Sequence, residues 1–231
     1  MASRIETMRV EGGLEIVRLV TNDANIVVPG EVNGVPVVSI GSMFLRESYG
    51  TGNRNLMIPA SVVRASQEAL VSMSGLRTIT YLGSFDTFNT FGWDLSTDCQ
   101  VNCADGFSFL FLARYPMSFP AFDDELLGSH QRISESTVMA RLMNPVYLTE
   151  SNREKYTKYM KSRIVPMAQH AIFDNDMNSL KNIIDTELLD EKDLKSLLEE
   201  SVRSGRTSST SVIMTTLNIM HYGKSKDNSP L

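Results

Sequence analysis

A chain of 231 residues that is 42% hydrophobic, 21% charged and 8% aromatic has globular composition, which excludes a disordered, collagen-like or disulfide-scaffold chain. Its 22 Lys plus Arg against 27 Asp plus Glu leave a net charge of −5, the wrong sign for a phosphate-backbone binder, so no nucleic-acid partner is expected. At this length folding buries roughly 70% of the unfolded surface, enough for stability without metal or disulfides.

The first residues carry Arg4, Glu6, Arg9 and Glu11, so no apolar region of the secretory type follows the start, and a cytoplasmic location is expected, with export the alternative if a leader has been removed. The longest apolar runs, Gly34 to Ile40 and Phe107 to Ala113, are far shorter than the roughly 18 to 20 residues of a spanning helix, so no membrane span is expected.

Composition changes along the chain. Residues 1–120 hold 11 of the 14 glycines with 8 Arg and 11 acidic residues, whereas residues 121–231 hold 3 glycines with 14 basic and 16 acidic residues. Turn-rich sequence with short β-branched runs reads as strands, and charged sequence with apolar residues three and four apart reads as helices. The expected fold class is therefore α+β, strands first. Leu14 to Val20 and Ile26-Val27-Val28 are two short strands, the second stopped by Pro29. Asn33-Gly34 suits a turn of positive φ, and Val35, Val37, Val38 and Ile40 follow as another strand. After a long loop, Leu56-Met57-Ile58-Pro59 repeats the pattern of a short apolar run closed by proline, and Pro29 and Pro59 stand 30 residues apart. A looser third copy, Leu76 to Tyr81, lacks the proline. Recurrence at this period is the mark of a solenoid, in which each copy gives one strand to a parallel sheet.

The stretch from Ile26 to Phe44, followed by Asn55 to Val62 and Leu76 to Gly83, resembles the BspA-like leucine-rich repeats of bacterial proteins. The resemblance covers about residues 14–82: Val38-Ser39-Ile40-Gly41 and Phe44 fit the repeat, while Ala65, Ala69 and Leu70 replace its Ile-Gly and Ala-Phe, and no cysteine precedes Leu56 or Leu76. It implies a leucine-rich-repeat-like β-solenoid over 1–120, with residues beyond Leu82 as a degenerate last coil and cap containing strands at Cys99 to Cys103 and Phe107 to Phe111.

Residues 121–145 read as a connector with short helices starting at Asp123-Asp124-Glu125 and Ser134-Glu135-Ser136, since carboxylates suit first turns. Residues 146–231 read as an all-helical domain. Thr149 is its first N-cap, for a helix to about Arg163 with Tyr156, Tyr159 and Met160 on one face, and Pro166 takes a first helical position. At an offset of 30, Ala168 maps on Leu198, Ile172 on Val202, Asn175 on Gly205, Ile183 on Ile213 and Ile184 on Met214. Two stacked helical hairpins follow, similar in pattern to ankyrin repeats but without their T-P-L-H signature, with disorder expected from about 224 to 231.

Reactive constellations are sparse. Cys99 and Cys103 on a strand lie about 13 Å apart by rise, too far for one disulfide or one tetrahedral metal, and read as buried reduced thiols. His130, His170 and His221 stand beside no nucleophile motif. Gly50-Thr51-Gly52-Asn53 lacks the Lys-Ser/Thr of a phosphate loop, and Asp174, Asp176, Asp185, Asp190, Glu191 and Asp193 lack calcium-loop spacing and read as helix caps and turns. No catalytic, metal or cofactor-binding residue is assigned, and no cofactor is expected. The densest feature is aromatic: Tyr81, Phe85, Phe88, Phe91 and Trp93 are candidates for a partner-binding platform, or else for a plug that closes the solenoid end. The expected function is non-catalytic binding of a protein partner on a repeat surface. A cell-surface adhesion protein and a hydrolase with a noncontiguous Cys/His site are the alternatives.

Overall fold

The computed structural model describes residues 4–48, 52–71, 73–129 and 131–227, with side chains described to 221. It is a mixed α+β chain of two compact units, 1–131 and 132–231.

In the first unit the strands are β1 (Arg4–Val10), β2 (Gly13–Val20), β3 (Asn25–Val27), β4 (Glu31–Val32), β5 (Val35–Ile40), β6 (Arg54–Ile58), β7 (Arg64–Ala65), β8 (Leu76–Tyr81), β9 (Cys99–Cys103) and β10 (Ser108–Phe111). Helix α1 (Phe85–Asn89) precedes β9, and α2 (Ala121–Gly128) ends the unit. Two five-stranded sheets result. One runs β1-β2-β5-β4 with β7 also on β5, and the other runs β10-β9-β8-β6-β3. The chain passes from one sheet to the other and back (β3, β5, β6, β7, β8), so successive turns stack as in a solenoid.

Register shows what holds the turns together. Ile26, Leu56, Ile79 and Val101 lie opposite one another across four parallel strands, and all four are buried. Ile16, Ile40 and Ala65 form the matching row in the other sheet. No single turn can bury such a row alone, so each turn stabilises its neighbours. The two proline-closed runs are indeed adjacent parallel strands, β3 on β6, and Leu76 to Tyr81 adds β8 on the far side of β6. The Asn33-Gly34 turn joins β4 to β5 with φ of 51° and 75°, the two successive positive values that a tight hairpin of this twist requires.

Two local readings change. Val38 is only half-buried, whereas Val37 is interior. Leu14 sits opposite Val37 but Glu15 sits opposite Ser39, so one extra residue on β5 breaks the alternation at Val38. The break between domains also moves. Packing divides the chain after Gln131, not after Pro120, because Phe122 of α2 sits edge-on to Phe109, Phe111 and Phe119 in the interior of the first unit. The stretch 121–145 is thus shared between the units instead of forming a separate connector.

The second unit contains α3 (Glu135–Met143), α4 (Glu150–Lys161), α5 (Ile164–Asp174), α6 (Met177–Asp185), α7 (Glu191–Arg203) and α8 (Thr207–Asp227). Side-chain caps start most of them: Ser134 accepts from the Thr137 amide, Thr149 from that of Asn152, Asp176 from those of Asn178 and Ser179, and Asp190 with Asp193 forms a reciprocal capping box. Helix α5 begins at Ile164, two residues before the expected start, and Pro166 falls inside its first turn, where its missing N–H has no intrahelical partner to lose. Helices α5 and α6 pack together, as do α7 and α8, and α5 lies on α7 and α6 on α8. Ile183 and Ile213 occupy equivalent interior positions, while Val202 and Met214, which match Ile172 and Ile184, are exposed. Helix α8 continues to Asp227, past the expected end of order at about 224, and residues 228–231 lie outside the described residues.

Candidate functional site

A parallel strand that buries alternate residues must present the others to solvent. On the β10-β9-β8-β6-β3 sheet the inward set is Ile26, Leu56, Ile79 and Val101, so the outward set forms two in-register rows. One is Asn25, Asn55, Thr78, Gln100 and Leu110, and the other is Val27, Met57, Thr80, Asn102 and Ser108. At roughly 4.8 Å per strand these rows cross about 19 Å of sheet. They contain no charged side chain, on a chain with 49 of them. Val27 and Met57 are 58% and 41% exposed, at one end of their row, and Leu110 is exposed at the opposite end of the other.

Hydrogen bonds order the polar part of this face. Asn55 Nδ2 donates to Asn25 Oδ1 at 2.8 Å. Gln100 Nε2 donates to Ser108 Oγ at 3.0 Å, and Ser108 Oγ donates to Asn102 Oδ1 at 2.8 Å. Side chains tied to their neighbours lose less freedom when a partner arrives, which lowers the entropic cost of binding. The chemistry offered is donors, acceptors and apolar area, with nothing nucleophilic.

The five candidate aromatic residues occupy a different place. Tyr81, Phe85, Phe88, Phe91 and Trp93 are each no more than 2% exposed, so in this conformation none offers area to a partner. Tyr81 pairs with Ile58 across β6 and β8, and thus stands in the apolar row of the preceding turns. Its ring meets Phe91 edge-on at 5.6 Å, and Phe88 meets Trp93 at 5.7 Å. The polar tips of the cluster are satisfied by main chain of earlier turns: Tyr81 Oη donates to the Val62 carbonyl at 2.7 Å and Trp93 Nε1 to the Ser66 carbonyl at 2.8 Å. The rings fill the interior at α1, in the manner of the plug. Phe85 also stacks on Phe107, which joins this cluster to the rings around Phe119.

Cys99 and Cys103 are both buried on β9, and both are free thiols. Burial pushes each thiol up to about 12, with the nearby Asp105 carboxylate adding to the rise at Cys103. Both are therefore neutral near pH 7, and a neutral thiol is a poor nucleophile. His170 and His221 are exposed on helices of the second unit, and His130 lies outside the described residues, as do Gly50 and Thr51 of the glycine-rich loop. Among the described residues no group of three or more His, Cys, Asp or Glu could hold a metal ion, and no helix is long and apolar enough to cross a membrane.

Arg54 was not singled out by any motif, yet its side chain is buried. It donates to the carbonyls of Thr21 at 3.1 Å, Asp23 at 3.2 Å and Ser48 at 3.2 Å, so one guanidinium fastens two loops at the start of β6. Its charge is held by carbonyl dipoles, and burial lowers its pKa. The only signal in the sequence is a charged residue directly before an apolar run, which also fits a solvated loop.

Comparison of the chain with protein-family models, with curated proteins and with solved structures finds no match.

Proposed function

We propose that this chain is a non-catalytic binding module whose partner is a protein, and that the outward face of the β10-β9-β8-β6-β3 sheet is where the partner docks. The observation that carries the reading is the uncharged, in-register double row on that face, with Val27 and Met57 exposed beside an ordered amide and hydroxyl network. Two rows of apolar and neutral polar groups, with Arg77 of β8 as an exposed charge beside them, resemble the middle of a protein interface, which is depleted in charged residues. The stacked turns support a repeat of BspA-like leucine-rich type, and the paired helices α5–α6 and α7–α8, related by the 30-residue offset, support an ankyrin-like arrangement. The hydrolase reading gains nothing from thiols that are buried and neutral.

The test is affinity capture with the whole chain and with the Val27→Glu/Met57→Glu variant, after circular dichroism has shown both to be folded. Proteins retained by the parent chain and lost from the variant are the expected result. An unchanged set of bound proteins would remove this face from consideration.

A further inference from the structure

The second unit carries a groove of about 600 Å³ between α6, α7 and α8, within the size range of ligand clefts. Its apolar wall is formed by Leu189 and Leu194, which are buried, and by Met220 and Ile219, the last 66% exposed. Asp185 and Glu187 stand on its rim.

Two observations give this groove a negative sign, and a third concerns the position of one carboxylate. Asp185 and Glu187 form no ion pair among the described residues, whereas Lys195 Nζ and His221 Nε2 both lie against the Glu191 carboxylate, at 2.8 and 3.7 Å. The C-terminal end of α6 is at the same place, and its terminal carbonyls carry the negative end of the helix dipole. The third is the backbone at Glu187. Helices α5, α6 and α7 are each followed by a residue in the left-handed region. For α5 and α7 these are Asn175 and Gly205, the types that tolerate it, but for α6 it is Glu187 at a φ of 58°. A carboxylate is thus held at the groove where glycine would relieve the backbone.

We propose that this groove binds a basic amphipathic peptide segment of a partner protein, with an aliphatic side chain against Ile219 and Leu194 and a Lys or Arg between Asp185 and Glu187. Charge complementarity selects this occupant, because an apolar ligand alone gains nothing from two carboxylates that form no ion pair among the described residues, and an acidic segment is repelled by them. The inference does not depend on the sheet face of the first unit.

The experiment titrates the full chain into a fluorescently labelled amphipathic helical peptide of leucine and lysine, read by anisotropy at physiological ionic strength, with a leucine and glutamate peptide as control. Binding of the basic peptide alone is expected. Asp185→Asn/Glu187→Gln should weaken it about five- to tenfold, as two rim charge contacts would. Ile219→Ser should also weaken it. Glu150→Gln/Glu154→Gln, which removes the same charge from exposed positions on α4, should leave affinity unchanged. Equal weakening by the two double variants, binding of both peptides alike, absence of binding, or a peptide-free dimer that Ile219→Ser dissociates would each overturn the proposal.

Discussion

Glu187 shows how one residue can be chosen against local stability. A left-handed conformation costs a residue with a Cβ roughly 1 kcal/mol relative to glycine, and the positions after α5 and α7 avoid that cost through Asn175 and Gly205. Glu187→Gly should therefore raise the urea midpoint by an amount corresponding to about 1 kcal/mol, while weakening the basic peptide. A lowered midpoint would show that the Glu187 side chain contributes contacts that outweigh its backbone strain. The cysteines make a prediction at the same scale. Their folded pKa of about 12 lies above the ordinary thiol value of roughly 8.5. The folded state retains protons that the unfolded state releases, so the contribution of these thiols is complete below about pH 8.5 and declines as pH rises towards 12. Stability measured across that alkaline window should fall less steeply in the Cys99→Ala/Cys103→Ala variant than in the parent, and thiol reagents at neutral pH should react slowly until urea is added. Rapid reaction in the folded state would contradict the burial of β9.

Among the elements, legibility in the sequence follows how local the determining physics is. The β3 and β6 strands were legible because an apolar run and its closing proline recur 30 residues apart, and the Asn33-Gly34 turn because few other residue pairs accept two positive φ values. The caps at Thr149, Asp176 and Asp190 act over three residues and were equally plain. Strand β7 was not visible, since Arg64-Ala65 is too short to show alternation and exists only through its pairing with β5. Tyr81 belongs in the sequence both to the third strand copy and to an aromatic run, and its register opposite Ile58 makes it a core residue of the solenoid. The sheet face followed from alternation once the strands were placed, but its Asn25–Asn55 and Gln100–Ser108 bonds join residues from different turns and needed the register. Arg54 was illegible for the same reason, with carbonyl partners 6 to 33 residues away. The inward rows are open to a direct check. Ile79→Ala and Ile213→Ala each truncate a fully buried side chain and should cost about 2 to 5 kcal/mol in chemical denaturation. Truncation of the exposed Val202 to Ala should cost well under 1 kcal/mol.

At the scale of the whole molecule, the position of the break between units separates a compositional boundary from a packing boundary. Glycine content falls and charge rises after Pro120, yet the apolar surface created by β10 and the following turn is not closed there. Phe109, Phe111 and Phe119 leave an aromatic side that Phe122 completes, with ring centroids 5.4, 5.4 and 5.8 Å away, and Leu126 lies one turn further along α2 and is also buried. Composition reports where turns give way to helices, but a folding unit ends where its hydrophobic surface is covered. Two fragments distinguish these boundaries. A fragment of residues 1–131 should show a single cooperative denaturation transition, whereas 1–120 loses Phe122 and Leu126 together and should be less stable by about 3 to 5 kcal/mol or more, the scale of truncating a core phenylalanine. Adding Phe122→Ala to the longer fragment separates the ring from the rest of the helix, and most of the loss should appear with that substitution. Equal denaturation midpoints for 1–120 and 1–131 would place the end of the unit at Pro120 and make α2 dispensable to it.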